Sequence, residues 1–152
     1  PRPEGPAMNV TIIEDPALDD IEVQVSCPRM DERTQRIVAS LGAFDRTLAG
    51  MRDGALYRVP PGDVLYAETV DGTAFLYTAD AVFETSLRLF EVEDKLAGTE
   101  FVRASRQMLV NFDHVRCIRP APGARLRLSL DNGEAVIVSR QYAPAIKRKL
   151  GL

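Results

Sequence analysis

Two kinds of apolar spacing divide the first fifty residues. Residues 10–13 (Val-Thr-Ile-Ile) form a short apolar run, and residues 21–25 (Ile-Glu-Val-Gln-Val) alternate apolar with polar positions, the period-two signature of a strand with one buried face. Asp15-Pro16 and Asp19-Asp20 between them predict a turn. Over residues 29–51 the spacing changes: Ile37, Leu41, Phe44, Leu48 and Met51 recur at intervals of four, three, four and three. That predicts one helix with a single apolar stripe, with Gly42 and Gly50 as its weak points. Such a stripe packs on the strands of its own chain or, at this seam-like spacing, against a second helix; both remain open.

Arg52-Asp53-Gly54 breaks the chain, and short strands follow. Residues 55–59 and 64–69 flank Pro60-Pro61-Gly62-Asp63. Asp71-Gly72 separates 64–69 from 75–77, a hairpin signal because Asp-Gly accepts the positive φ angles of a type I′ turn. Residues 81–85 continue as strand. Ser86 is the expected cap of a helix running to Leu96, with Leu89, Val92 and Leu96 as its buried face and Gly98 as its end. Residues 115–119, 125–130 and 134–138 are expected strands, the last two joined at Asp131-Asn132-Gly133. A short helix through Tyr142, Ile146 and Leu150 closes the chain.

Several function classes drop out. No apolar stretch approaches the ~18 residues of a membrane span, and residues 9–13 lack the basic flank of a signal peptide. Pro1–Ala7, ahead of Met8, are set aside as a leader. Two cysteines, Cys27 and Cys117, are too few for a disulfide framework or a zinc site, and are expected as buried thiols in a reducing cytoplasm. There is no Gly-rich phosphate loop, nucleophile elbow or histidine pair, so no enzyme, cofactor or metal is expected. The single histidine, His114, is expected to be structural, on the surface or half-buried. Glu14-Asp15 and Asp19-Asp20 read as a solvated loop.

Net charge is −3, yet residues 98–152 hold ten Lys/Arg against four acids, so that third carries +6 and the remainder −9. Local potential attracts a polyanion, so the basic third suits a phosphate-binding face, although charge alone equally describes a solvated surface.

The stretch 101–115, FVRASRQMLVNFDHV, followed downstream by Val138-Ser139-Arg140-Gln141-Tyr142, resembles the LytTR-type DNA-binding domain of bacterial transcription regulators. In that family these stretches read roughly F-x-R-x-[HS]-[RK]-S-x-[LI]-[VI]-N and V-[SP]-R-x-Y. The resemblance runs from about Gly54 to Leu152. It implies a mainly β fold, an elongated stack of small antiparallel sheets with a flanking helix, here preceded by a small α/β (strand-strand-helix) appendage over residues 8–53. It further implies that loops, rather than a recognition helix, read double-stranded DNA in the major groove. By position, Arg106 and Arg140 match base-contacting sites and Thr73, after the Asp71-Gly72 turn, a weaker one. Ser105, Ser139 and Gln141 would make phosphate or secondary contacts, and Lys147, with Arg148 and Lys149, would add nonspecific attraction. Asn111 is a family hallmark expected to tie down the turn after its strand. Gln107 departs from the usual Ser.

Ile12-Ile13-Glu14-Asp15-Pro16 looks like the start of a receiver domain, but the 45 or so residues before Gly54 cannot hold a fold of ~120. V-L-Y-x-E at residues 64–68 and the Lys147-Arg148-Lys149-Leu150-Gly151-Leu152 ending are similar to a receiver-less subgroup, often encoded beside a small membrane protein. The expectation is therefore a cytoplasmic transcriptional regulator acting as a homodimer. The alternative is an interaction module that binds a membrane-associated partner through residues 8–53.

Overall fold

The computed structural model describes residues 8–152 apart from Asp45, and all side chains there except those of Ala43 and Phe44. Pro1–Ala7, expected as a leader, lie outside the described residues. The fold is mainly β; among the described residues there are ten strands in two antiparallel sheets and three α-helices.

Residues 8–31 correct the first expectation. They form no strand, and Ile12 and Ile21 are more than four-fifths exposed. Their hydrogen bonds are local: the Asp15 carboxylate accepts from the Ala17 N–H at 3.0 Å and the Asp20 carboxylate from the Ile21 N–H at 2.7 Å. Period-two spacing names the face a strand would bury. It does not supply an edge to pair with, and neither sheet takes these segments as a strand.

The helix α1 spans Glu32–Phe44. Asp31 starts it, its carboxylate accepting from both the N–H and the hydroxyl of Thr34 at 2.8 Å. This is the N-cap arrangement that satisfies an orphan donor of the first turn, and these bonds hold the Asp31 carboxyl below its usual range. The helix stops before Leu48, so the predicted 29–51 helix is too long. Leu48–Arg52 is strand β1, paired with β2 (Ala55–Val59) around an Asp53-Gly54 turn. Gly50 permits this, since a Cβ there would lie 2.6 Å from the Cβ of Phe83. Of the predicted stripe, Leu48 enters the sheet core, while Leu41 and Met51 are exposed. Arg46 fastens the link between α1 and β1, donating to the carbonyls of Lys95 at 3.3 Å and Ala97 at 2.9 Å. A cation is favoured at such a helix end.

The large sheet has seven strands in the order β2-β1-β5-β4-β3-β7-β6. Its middle strand is β4 (Thr73–Thr78); β3 (Val64–Val70) lies between β4 and β7 (Met108–Asn111), with β5 (Val82–Thr85) on the far side of β4 and β6 (Phe101–Ser105) at the edge beyond β7. The β3–β4 turn is the expected one: Asp71 and Gly72 have φ of 51° and 81°. Alternation splits the core. Leu76 and Leu109 pack with Leu89, Val92 and Leu96, whereas Val110 joins the second sheet's Leu128 and Val138. Helix α2 is Leu89–Lys95, shorter than predicted, and Arg88 rather than Ser86 stands at its cap, its N–H bonded by Glu91 at 3.0 Å. The small sheet is β10-β9-β8, made of Val115–Ala121 (β8), Arg125–Leu130 (β9) and Ala135–Val138 (β10). Helix α3 (Ala143–Lys149) buries Ala143 and Ile146 in its core.

Cross-sheet bonds hold the stack together. Tyr66 of β3 donates to Glu134 at 2.8 Å, and burial with that carboxylate raises the phenol well above its usual range. Half-buried His114 contacts the Gly62 carbonyl through Nε2 at 2.6 Å and Asp131 through Nδ1 at 2.9 Å. A carbonyl and a carboxylate both need a donor, so this geometry fits the doubly protonated ring. Burial opposes the charge, but the Gly62 carbonyl and Asp131 outweigh it and raise the pKa above 6.5. Stability from this contact is complete below the unfolded value of about 6.5 and is lost as pH rises through the folded value. Melting temperatures of wild type and His114→Gln are therefore expected to differ most near pH 6 and converge as the pH rises. A constant difference across that range would remove the imidazolium from this account.

Both cysteines are exposed, which corrects the expectation of buried thiols. Cys117 lies on the outer face of β8, opposite Ser129. The Ser129 hydroxyl, then nearby Arg119, pull its thiol below the usual range despite the opposing effect of burial.

Candidate nucleic-acid interface

The site is assembled by strand ends. Because β7 runs antiparallel to β3 with Glu68 opposite Met108, the β6–β7 turn at Arg106-Gln107 falls beside the end of β3 and its Asp71-Gly72 turn. One backbone bond joins them, Thr69 N–H to the Gln107 carbonyl at 2.8 Å. A second, Ser139 N–H to the Ala104 carbonyl at 2.8 Å, brings the segment after β10 to the same end of β6. Three loops far apart in sequence thus share one end of the fold.

Within this row Arg106, Arg140 and Gln141 are exposed, and Thr73, Ser105 and Ser139 half-buried. Neither Arg106 nor Arg140 forms an ion pair among the described residues. The Arg106 turn is held rigidly by its neighbours. The Ser105 hydroxyl accepts from the Gln107 N–H at 3.2 Å, and Arg103 donates to the Arg106 carbonyl at 2.7 Å while pairing with Glu93 at 3.2 Å. Ser105 and Arg103 thus shape the turn. Arg103 was legible only as part of the motif, because its role depends on an acid ten residues away on α2. Ser139 likewise acts through its backbone, its carbonyl accepting from Tyr142 at 3.0 Å and Ala143 at 2.9 Å to start α3. Gln107, which departs from the family Ser, contributes its backbone to both turn bonds.

Lys147 is not part of the row. Helix α3 leaves the loop end and carries its C-terminal lysines toward the start of β6, where Lys149 pairs with Glu100 at 3.2 Å and lies 5.6 Å from the Phe112 ring centre. Lys149 is therefore engaged within the fold, while Lys147 and Arg148 are exposed.

Asn111 sits at the opposite end of β7 from the Arg106 turn and is 2% exposed. Its amide donates to the Val64 carbonyl at 3.0 Å and the Pro61 carbonyl at 3.4 Å, and its oxygen accepts from the Asp113 N–H at 3.0 Å. The expected role, tying down the turn after its strand, is present, together with a second anchor on the Pro61–Asp63 turn. Among the described residues no group of acids, cysteines and histidine is placed to hold a metal, and no helix is long and apolar enough to cross a membrane.

The family model for the LytTr DNA-binding domain matches residues 54–151. An uncharacterised HTH-type transcriptional regulator of Staphylococcus aureus strain NCTC 8325 is 25% identical over 132 residues, covering 86% of this chain and 89% of the relative. A regulator of the same description from strain COL matches equally. Among solved structures, the LytTr DNA-binding domain of a protein described as a methyl-accepting/DNA response regulator, from Bacillus cereus, superposes with a TM-score of 0.66 at 29% identity, covering 70% of this chain and 97% of that one. Those regulators are named for a helix-turn-helix. Among the described residues successive helices are separated by two or more strands, and Arg106 and Arg140 lie in turns rather than on a helix.

Proposed function

The chain belongs to the LytTR DNA-binding domain family, and on that premise we propose that it regulates transcription by reading the major groove of duplex DNA with its row of loops. The carrying observation is the pair of backbone bonds, Thr69 to Gln107 and Ser139 to Ala104, that aligns the three loops with Arg106 and Arg140 free to project. Arginine suits both tasks required, two parallel bonds to guanine in the groove and bidentate grip on phosphate. Ser105, Ser139, Gln141 and Thr73 support the row, and Lys147 acts as a peripheral phosphate contact. Two protomers act on paired half-sites in the cytoplasm.

Binding is expected to weaken steeply with salt, log affinity falling by roughly 0.9 per phosphate contact for each unit of log salt. A salt titration of specific and competitor duplexes measures this; a flat response, or equal affinity for every sequence, would refute the reading.

A second reading has one observation in its favour. Residues 8–31 expose Val10, Ile12, Ile13, Ile21 and Val23, an apolar arm suited to a protein partner such as one held at a membrane. Failure of a gel shift on every selected duplex, with retention of that partner, would favour it.

A further inference from the structure

We propose that the outer face of the β8-β9-β10 sheet is a second DNA contact, holding the phosphate backbone of duplex that flanks the sequence read by the loops. This inference rests on the DNA-binding reading above.

Alternation gives the sheet two unlike faces. Leu126, Leu128, Leu130, Val136 and Val138 point into the core, so Arg125 and Arg127 point out. Arg119 stands directly opposite Arg127, and Ala121 opposite Arg125. Arg116 joins them beside a register shift in β8. All four arginines are exposed and none has an ion pair among the described residues. The three strands contain no acid. The nearest acids in sequence are Asp113, two residues before β8, and Asp131 and Glu134 in the β9–β10 turn, all at the end of the sheet away from Arg125; Asp131 and Glu134 are engaged with His114 and Tyr66.

Like charges directly across a sheet are destabilising. A sheet selected only for its own stability would place an acid opposite Arg127; this one places Arg119. An external polyanion removes the repulsion and accepts bidentate bonds from each guanidinium. Position identifies the polyanion. Leu126 of β9 is opposite Val138 of β10 and Pro120 of β8, so the β8–β9 turn and Arg125 lie at the same end of this sheet as Ser139 and Arg140. The arginine face therefore continues from the loop row, where the duplex would leave the site. The chain's own acidic stretch, residues 14–22, is the competing anion. In the structure it is exposed, and among the described residues its carboxylates at Asp15 and Asp20 bond only within the stretch.

The test compares wild type with Arg119→Gln/Arg125→Gln/Arg127→Gln on two duplexes. One ends at the selected binding site and the other extends it by about ten base pairs, one helical turn, on each side. On the extended duplex the triple variant is expected to bind roughly tenfold more weakly at low salt, and its salt slope to be smaller by roughly 2 to 3, at about 0.9 for each of three phosphates. Base preferences should be unchanged, and on the short duplex the two proteins should match. Wild-type affinity and slope on the extended duplex overturn the inference, as does an equal loss on both duplexes. A gain in affinity, or restoration of wild-type binding by neutralising residues 14–22, assigns the face to the acidic stretch and also overturns it. Arg106→Ala separates the two levels. If it loses base preference while the triple variant binds as wild type, only this inference fails; if neither changes binding, the loop reading fails. Should the triple variant melt early, Arg119→Gln and Arg127→Gln are measured singly, each with a slope change of about one expected.

Discussion

Replacing Arg106 or Arg140 with alanine is expected to cost about 1–3 kcal/mol on the best duplex and to relax the preference at particular base pairs. The expectation rests on rigidity as much as on residue type. Arg106 occupies a two-residue turn whose carbonyl is held by Arg103 and whose partner Gln107 is bonded to Ser105 and Thr69. Arg140 follows a serine fixed to β6 and to the start of α3. Each guanidinium therefore projects from a settled backbone, and less is lost in ordering it against a base. Lys147 is the contrast. It lies on α3, away from the row, and its removal is expected to weaken all sequences alike and lower the salt slope by about one. Affinities of the three variants against single-base changes in the site measure the difference. A uniform loss for Arg106→Ala and Arg140→Ala, matching Lys147→Ala, would mean that these arginines do not read bases. Arg103→Ala is expected to share the Arg106 defect, since it frees the same turn and also leaves Glu93 unpaired.

How far the sequence revealed this differs along the chain. From Gly54 onward, turn chemistry was explicit: Asp71-Gly72 and Asp131-Asn132-Gly133 marked two hairpins, and strands, helices and the order of loops follow the pattern closely. The loops that carry Arg106 and Arg140 were recognisable as motifs, but their convergence was not. It depends on one hydrogen bond between β3 and a turn nearly forty residues later, and on another between β6 and the residue after β10. Ahead of Gly54 the reading failed for two separate reasons. Leu48 and Met51 continued the 3.6-residue spacing of α1, and that coincidence outweighed Asp53-Gly54, which carries the same turn signal as Asp71-Gly72 and closes the β1–β2 hairpin. Residues 10–13 and 21–25 have the alternation of strands, but a strand exists only when an edge accepts its backbone bonds, and alternation contains no information about the edge. The arginine face on β8 and β9 was visible as charge, and only the register of the sheet places its members opposite one another.

Asn111→Ala is expected to be the most destabilising polar substitution in the chain, by roughly 2–4 kcal/mol, because it strips partners from groups in the core at about 1–3 kcal/mol for each buried group left unsatisfied. The amide spans two elements, the Pro61–Asp63 turn with Val64 on one side and the Asp113 N–H on the other. No other buried polar side chain among the described residues ties β3 to β7 at this end of the pair, since the remaining ones, Thr34 and Thr85, bond within their own neighbourhoods. At roughly 2–4 °C per kcal/mol for a chain of this length, the melting temperature should fall by about 5–15 °C. Asn111→Asp is the sharper probe. It keeps the oxygen that accepts from Asp113 but turns the donor into a second acceptor facing two carbonyls, in a site that disfavours charge. Near neutral pH it should be at least as damaging as alanine. As the pH falls, protonation restores one donor, so its deficit relative to Asn111→Ala should shrink. DNA affinity measured well below the melting transition should change little in either variant, because Asn111 lies at the end of β7 remote from the Arg106 turn. Melting curves of both variants across pH test the claim. If alanine is tolerated within about 1 kcal/mol, or the aspartate variant shows no pH-dependent recovery, Asn111 is not the clamp described here.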